Sequence, residues 1–510
     1  MAVTWNLENA GHLLRRAAFG GTPEQIQQFH DDHAGDGVTG AVAELLTFPP
    51  SGKKPPGPKD VDAEGLRKMQ QWWFKLMVKA KTPADACREK LVLFFHNHLA
   101  SGANKQPTLK YMSFQNRRFR RFARGNFQAL IREFNRDPAN LYYLDGIYNV
   151  ASTDGVHASP NENFGRELME LFTLGVFQLK ADGSADPTKP NYSENDVHNM
   201  ARACTGWTGD IKGDTGIFID GDWDGGRYDD NVGDAAPDPM VIFGQSSNSF
   251  RIDDSVAGTN NDVLKLIFSR TDYEGKNQVG LFISKKLWTW YAYPAPASGL
   301  KALLNGFADT FAANNYELTP VLQAMWTHDE FYSDRAKSRT VRNPVDYIVQ
   351  SFRAFGVRSN GKTIGDADRE LGDHARIMGM NLFEPPNVAG WPGGLGWINS
   401  STLLARAEFA KELASSDFGT NRIRLTNIPG LIGDPNADPA AVVNKIVAQL
   451  GLDQGPTALT TAQKNTLVAY ANDNGMKPTL DLSDESTDDA TVKVRGVISL
   501  ALQCAEGHVF

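Results

Sequence analysis

The chain has 510 residues, which is enough for two to four domains of roughly 150 residues each. Its net charge is −8, from 52 Lys and Arg against 60 Asp and Glu, which argues against general nucleic-acid binding because that function needs a basic surface. Apolar residues make up 41 % of the chain, so a large core can be buried. The chain contains no run of about 18 apolar residues, so the sequence predicts no helix that crosses a membrane.

The cysteines and the first residues bear on the compartment. Cys87, Cys204 and Cys504 are an odd, sparse set that fits neither a disulfide framework nor a zinc site, so a reducing compartment is expected. The first residues lack the basic and apolar regions of a signal peptide. A cytoplasmic protein is therefore the default expectation.

A strong helix signal comes before residue 100. Thr82-Pro83-Ala84-Asp85 is typical of a helix start, and the pattern runs on to His96-Asn97-His98. Residues two positions apart on a helix point about 200° away from each other, so His96 and His98 share a metal ion only on a strand or past a helix end. A hydrogen-bonded core histidine is the alternative interpretation.

A basic cluster and a short acidic segment follow. Arg117, Arg118, Arg120, Arg121 and Arg124 are interpreted as a solvated or acid-pairing helix face rather than a phosphate-binding one. Leu141-Tyr142-Tyr143-Leu144-Asp145 is a short apolar segment that ends in a carboxylate, so Asp145 is a candidate site residue.

The segment 160–175 is the one around which we expect the rest of the chain to be organised. Asn161 and Asn163 are candidate N-caps, and Gly175 suits the left-handed residue that ends a helix. The apolar residues between them recur at i, i+4, i+7 and i+8, which predicts one buried helix face. Glu167 lies close beside that face and Glu170 further round it, and a carboxylate at the margin of a core needs a partner or a shifted pKa.

The next helix begins at Ser193, with Asp196 in the capping-box position, and carries Arg202. Residues 208–258 are then rich in Asp and Gly and are interpreted as an irregular insertion with a β-hairpin near residue 217. Asp220-Gly221-Asp222-Trp223-Asp224-Gly225 resembles the start of a calcium loop, but Asn231 stands where such a loop carries its bidentate Glu. A solvated acidic loop is the alternative.

Helical patterns resume after the insertion and continue to the end of the chain. They are interrupted by the segment from Phe383 to Gly394, which holds three prolines and cannot be a regular element. We expect Trp391 and Trp397 to anchor this segment as either a site wall or a structural plug. The predicted division of this mainly α-helical protein is residues 1–207, 208–258, 259–420 and 421–510.

Long ordered motifs in this sequence resemble a known family. They are Asn161-Glu162-Asn163 with Arg166-Glu167-Leu168 and Glu170-Leu171-Phe172-Thr173-Leu174-Gly175, then Tyr192, Asp196-Val197, Ala201-Arg202 and Thr205-Gly206-Trp207, then Pro385-Pro386-Asn387-Val388-Ala389-Gly390-Trp391-Pro392-Gly393-Gly394. Together they resemble the bacterial domain of unknown function 1800 family. The resemblance covers the chain from about residue 8 onward.

The resemblance implies little about chemistry, because the family carries no established reaction. Its members are often encoded beside a second uncharacterised family that looks like a sulfatase or alkaline phosphatase and bears export signals. The resemblance therefore implies a protein partner, and export alongside it. This chain departs from the family pattern mainly in the insertion near 208–240 and in Ala505-Glu506-Gly507, where the family tends to carry Ser-Pro-Glu.

Two hypotheses about function remain open. The first is an enzyme of the hydrolase type or a related one, whose predicted catalytic residues are Glu167, Glu170, His98, Asp145, Arg166 and Arg202. These side chains would act as general acid and base, or a divalent metal would be held by His96, His98, Glu167 and Glu170. The second is a scaffold or partner-binding protein, in which Arg166, Arg202, Glu167, Glu170 and Asp196 form buried ion pairs that fix how helices meet.

Overall fold

The structure is a computed structural model and describes residues 3–57, 59–149, 160–218, 239–355, 364–415, 425, 428–483 and 489–510. The described residues are mainly helical, as predicted. The helices before residue 150 are α1 (Leu7–Ala18), α2 (Pro23–Asp32), α3 (Gly37–Leu45), α4 (Ala63–Val78), α5 (Pro83–His98), α6 (Leu109–Phe122), α7 (Phe127–Asn135) and α8 (Pro138–Tyr143).

The middle of the chain adds eight helices among the described residues, several with the caps that the sequence predicts. They are α9 (Glu162–Glu167), α10 (Glu194–Ala203), α11 (Val263–Phe268), α12 (Gln278–Tyr291), α13 (Leu300–Ala313), α14 (Leu318–Trp326), α15 (Asp334–Ser338) and α16 (Pro344–Ala354). Ser193 and Asp196 form the predicted capping box, and the side chain of Asn161 accepts from the backbone N–H of Asn163. Asn163 itself lies inside α9, so only one of the two candidate N-caps has that role.

The last part of the chain is helical as predicted. Its helices are α17 (Ile364–Ile377), α18 (Ser400–Ala414), α19 (Ile428–Ile432), α20 (Pro439–Gln449), α21 (Thr461–Ala471) and α22 (Asp489–Gln503). Helix α22 packs on α18, α20 and α21, so the last helices share a core with α18. No helix of the described residues combines the length and the apolar character that crossing a bilayer requires.

Strands in the described residues form two-stranded antiparallel sheets at the edges of this helical body. The pairs are β1 (Phe177–Leu179) with β2 (Ala185–Pro190), β3 (Trp207–Lys212) with β4 (Thr215–Phe218), β5 (Met240–Ile242) with β6 (Gln245–Ser247), and β7 (Asn436–Ala437) with β8 (Leu480–Asp481). The hairpin predicted near residue 217 is confirmed by β3 and β4. The calcium-loop candidate at 220–225 lies outside the described residues.

Helix α5 lies at the centre of the fold. Nearly all of its residues are buried, and α1, α3, α4, α6 and α12 pack around it. Its buried polar side chains are paired: Glu89 accepts from Arg120 at 2.7 Å, and Lys90 forms an ion pair with Asp346 at the start of α16. The packing of α5 therefore fixes the positions of His96 and His98 at its C-terminal end.

The predicted acid-pairing interpretation of the basic cluster on α6 is confirmed. Four of its arginines form ion pairs, Arg117 with Asp214, Arg118 with Asp137, Arg120 with Glu89 and Arg121 with Glu133. Arg124 donates to the backbone carbonyl of Phe48. These arginines join α6 to its neighbours and leave no free basic face there.

Candidate functional site

A cavity of about 780 Å³ lies where the C-terminal end of α5 meets α12, the start of α16 and the loop 389–397. Aromatic side chains form much of its wall, namely Phe94, Phe177, Phe282, Trp290, Trp391 and Trp397. Polar side chains of the wall include Asn97, His98, Glu170, Lys285, Lys286 and Asp346. A large, mostly apolar cavity with a few polar groups is the usual form of a small-molecule site.

The segment 168–173 departs from the regular helix that the sequence predicts. Helix α9 ends at Glu167, and Leu168–Thr173 continues as a π-helix, which is closed by Gly175 at φ +76°. The positive φ at Gly175 confirms the predicted end of the helix. A π-turn is uncommon and is frequent at functional sites. The wider turn leaves Phe172 buried while Glu170 and Leu171 line the cavity.

The two glutamates of this segment are electrostatically coupled. Glu170 lines the cavity and accepts a hydrogen bond from the hydroxyl of Tyr192 at 2.9 Å. Partial burial and the charge of Glu170 raise the pKa of Glu167 to about 7, against a smaller opposing effect of Arg166. The pair thus holds a proton that titrates near neutral pH.

His98 stands beside the π-helix with one ring nitrogen bonded. Its Nε2 donates to the backbone carbonyl of Phe172 at 3.2 Å, so Nδ1 is the unprotonated nitrogen and has no hydrogen-bond partner among the described residues. Burial, helped by the charge of Lys286, lowers the pKa of His98 to about 3. The ring is therefore neutral at physiological pH.

His96 belongs to the core rather than to the cavity. Its Nε2 accepts from the backbone N–H of Phe383 at 2.9 Å, and the rings of Trp73, Phe383 and Trp391 surround it. Burial lowers its pKa to about 3. His96 is thus a hydrogen-bonded core histidine, which is the alternative to metal binding that the sequence offers.

The predicted metal set is not gathered by the fold. Among the described residues, no group of three or more His, Cys, Asp and Glu side chains is placed so that it could hold a metal ion. His96 and His98 both belong to α5, which continues to His98, so the helix does not end between them and their rings engage different neighbours. The geometry therefore gives no support to the combination of His96, His98, Glu167 and Glu170 as metal ligands.

Four predicted catalytic residues lie away from the cavity wall, namely Glu167, Arg166, Asp145 and Arg202. Arg166 is about a third exposed, with its side chain at 32 %, and it pairs with Glu194 at 2.7 Å and with Glu162 at 3.3 Å. Asp145 is half-exposed and lies 3.8 Å from the ammonium of Lys105. Arg202 is buried and donates to Asn199 on its own helix. The buried ion pair predicted for Arg166 is thus a surface one, because α9 turns that side chain outward.

The loop from Ala389 to Trp397 is a wall of the cavity, one of the two alternatives for it. The side-chain oxygen of Asn97 accepts from the backbone N–H of Trp391 at 2.8 Å. Gly390 has a φ of +81°, and a Cβ there would lie 2.2 Å from the carbonyl oxygen of Asn97. Only glycine fits this approach, so the loop is held directly against the end of α5.

Sequence reasoning missed two wall residues, Lys285 and Lys286 on α12. Both have a lowered pKa, chiefly because of burial. A signal was present, since two adjacent lysines interrupt the helix Gln278–Tyr291, which is otherwise largely apolar. An amphipathic surface helix carries lysines routinely, so the sequence does not distinguish a lysine on a solvated face from one on a cavity wall. Only the packing around α12 makes that distinction.

Comparison with known proteins yields one match. A family model described as "Protein of unknown function (DUF1800)" matches residues 12–504. Neither the curated proteins nor the solved structures contain a significant match to the chain. The geometry described above is therefore the main guide to what the site does.

Proposed function

Because the chain belongs to the DUF1800 family, whose description assigns no activity, we propose from its own geometry that it is an enzyme acting on an organic molecule bound in the cavity. The acid–base chemistry belongs to the carboxylates Glu167 and Glu170. The observation that carries the proposal is the raised pKa of Glu167, about 7, beside a second carboxylate that lines a large aromatic-walled cavity. Paired carboxylates whose environments separate their protonation are typical of acid–base catalysis.

Each residue of the pair has a distinct role in this proposal. Glu170 lines the cavity, so it is the group that exchanges a proton with the substrate. Tyr192 donates to Glu170 and fixes the orientation of its carboxylate. Glu167 titrates near neutral pH and acts on the substrate only through the charge of Glu170, which makes it a positioning residue. His98 also lines the cavity, and its ring is neutral because burial lowers its pKa to about 3.

The experiment compares turnover by matched variants. Small-molecule extracts are incubated with the purified wild-type protein, with Glu170→Gln and with Glu194→Gln, a surface control, and are then analysed by mass spectrometry. We expect a compound that the wild type and the control consume, with consumption slowed about 10²–10⁴-fold in Glu170→Gln, the range for loss of a general acid or base. Glu170→Gln should still retain that compound in equilibrium dialysis.

Two results would contradict the proposal. Consumption of the compound at an equal rate by Glu170→Gln would remove the carboxylate from the chemistry. If the wild type neither consumes nor retains any compound, the proposal that the protein is an enzyme is contradicted.

A partner-binding protein is the second candidate, and exposed leucines favour it. Leu395, on the cavity loop, is 81 % exposed, and Leu403 and Leu404 on α18 are 42 % and 61 % exposed. Large apolar side chains concentrated within ten positions are typical of a contact surface. The partner in this proposal is the sulfatase- or phosphatase-like protein that the family resemblance implies.

The partner proposal is tested by coexpression of the two proteins and size-exclusion chromatography. A complex should form with the wild type and be lost with Leu395→Ser combined with Leu404→Ser. Separate elution of the two wild-type proteins would contradict the proposal.

A further inference from the structure

We propose that the molecule bound in the cavity is an organic anion with an aromatic or similarly flat apolar body, whose anionic group lies on Lys285 and Lys286. This inference rests on the proposed function, since it names the chemical class of that substrate. It draws on the charges of the cavity wall, which the acid–base argument does not use.

The two lysines lack a counter-charge where neighbouring lysines have one. Among the described residues, neither Lys285 nor Lys286 has a carboxylate within 4 Å, and the ammonium of Lys286 instead lies 5.3 Å from the ring centre of Phe282. Nearby, Lys276 pairs with Asp309 at 2.7 Å, and Lys301 pairs with Asp272 at 3.0 Å. Two partly buried ammonium groups without a carboxylate partner are costly to keep, which is expected where a ligand supplies the negative charge.

The carboxylates of the cavity wall are already engaged. Asp346 forms an ion pair with Lys90 and accepts from the side chain of Asn343 at 2.7 Å. Glu170 accepts from Tyr192. The carboxylate whose field reaches Lys285 is Asp182, which lies outside the cavity wall and opposes the lowering of the lysine pKa only in part. The hydrogen bond from Tyr192 leaves the charge of Glu170 in place, so the two lysines outnumber the one wall carboxylate that has no ion pair.

Further positive charge stands behind the wall at Phe510. Three cationic side chains approach the ring of Phe510, with Arg16 at 4.0 Å, Lys90 at 5.1 Å and Arg342 at 5.8 Å from its centre. Asp346 is the carboxylate that acts on all three of these cations. A low-dielectric wall focuses such an excess of charge into the cavity and favours an anion inside it.

The aromatic wall selects the rest of the molecule. Phe94 lies edge-on to Trp290 with ring centres 6.0 Å apart, and the ring of Phe94 also stacks on His98 at 5.7 Å. Flat apolar groups gain from offset or edge-to-face contact with such rings. The cavity of about 780 Å³ has room for a molecule of two or three rings.

The experiment uses two fluorescent probes that differ in charge. 8-Anilinonaphthalene-1-sulfonate carries a sulfonate, and N-phenyl-1-naphthylamine has the same aromatic body without it. We expect the full-length protein to bind the sulfonate probe with a Kd at least about tenfold lower than that of the neutral probe. Raising the salt concentration should weaken the sulfonate probe and leave the neutral one unchanged.

The variants locate the effect. Lys285→Met combined with Lys286→Met should raise the Kd of the sulfonate probe by about tenfold or more and change that of the neutral probe less than about twofold. Lys411→Met, an exposed lysine on α18, is the matched control and should change neither Kd. Retained binding of the neutral probe shows that the double variant is folded.

The outcomes separate the two proposals. If both probes bind equally, or if the sulfonate probe is insensitive to salt and to the lysine substitutions, the anion inference fails while the acid–base proposal stands. If neither probe binds, the cavity takes no flat aromatic molecule and the inference fails, whereas the proposed function falls only if the extract experiment also finds no compound.

Discussion

The charges around Arg166 on α9 and the charges around the cavity differ in their partners. At the surface, Arg166 is matched by Glu162 and Glu194, and all three side chains reach solvent. At the cavity, Lys285 and Lys286 have no carboxylate nearby among the described residues, and Glu167 has a strongly raised pKa. Matched exposed charges contribute little to stability, whereas unmatched buried ones are retained at a cost. The candidate site is therefore distinguished by charged side chains that lack an ion-pair partner, and not by the types of residue present.

The largest effect is expected at the buried pair Lys90–Asp346, which closes the inner end of the cavity. Asp346→Asn leaves the Lys90 ammonium buried without its counter-charge, so the free energy of unfolding should fall by about 3–5 kcal/mol. Urea denaturation at pH 7 measures the change. Lys90→Met combined with Asp346→Asn is the control and should recover much of the loss. A fall in the free energy of unfolding of less than about 1 kcal/mol would mean that this buried pair contributes no more than an exposed ion pair does.

An intermediate effect of opposite sign is expected at the cavity lysines. Lys286→Met replaces an unpaired ammonium in an apolar setting, so unfolding should cost about 1 kcal/mol more than in the wild type. The measurement is thermal and urea unfolding at pH 7. Lys301→Met, which breaks the pairs with Asp272 and Glu274, should instead destabilise the protein. Destabilisation by Lys286→Met would show that this lysine is structural, and it would contradict the view that the cavity lysines are retained at a cost to stability.

A pH-dependent effect is expected at Glu167. Folding raises its pKa from 4.5 to about 7, so the ionised carboxylate costs the folded state nothing below pH 4.5, progressively more up to pH 7, and most above it. Glu167→Gln should therefore stabilise the protein by about 1 kcal/mol at pH 8, a value reduced for partial exposure, and by little at pH 5. Urea denaturation at the two pH values measures this.

The variant Glu170→Gln tests the cause assigned to that pH dependence. Removing the neighbouring charge should lower the pKa of Glu167 without returning it to 4.5, because burial remains the larger cause. The carboxyl resonance of Glu167 in NMR titration reports the value directly. A pKa unchanged by Glu170→Gln would mean that the two carboxylates are not coupled.

The smallest effect is expected at the surface. Arg166→Met removes two exposed ion pairs, so the free energy of unfolding should fall by about 0.5 kcal/mol. The loss should shrink further in high salt, since exposed pairs are screened. Urea denaturation at low and high salt checks both statements. A loss of several kcal/mol would assign Arg166 to the buried class that the binding-module hypothesis expects.

Local signals in the sequence were sufficient for the ends of elements. Asn161, Ser193 with Asp196, and Gly175 were identified because a cap depends on a side chain and its own backbone within a few residues. The acid-pairing face of α6 was predicted from its charge density. The β1–β2 hairpin was missed, because Pro187 and Pro190 are typical of loops and an exposed edge tolerates them.

The rest of the candidate site depends on information that no local pattern contains. A six-residue π-helix is too short to change an apolar periodicity, so Leu168–Thr173 looks like ordinary α-helix in the sequence. Lys285 and Lys286 become significant only through the absence of a partner, which is a property of distant elements. The scaffold hypothesis predicts a buried pair for Arg166, but the direction of that side chain depends on how α9 packs, and it is outward.

The π-turn has a consequence for how the motif changes by insertion or deletion. A π-turn accommodates one residue more than an α-turn, so loss of a single codon between Leu168 and Thr173 would return the segment to about 3.6 residues per turn. Because the same deletion removes the wider turn, the residues before and after the segment would keep nearly the same relative orientation. Contacts of the flanks, such as the approach of Gly175 to Phe282, would therefore survive, whereas Glu170 would shift within its turn and its hydrogen bond from Tyr192 would be disturbed.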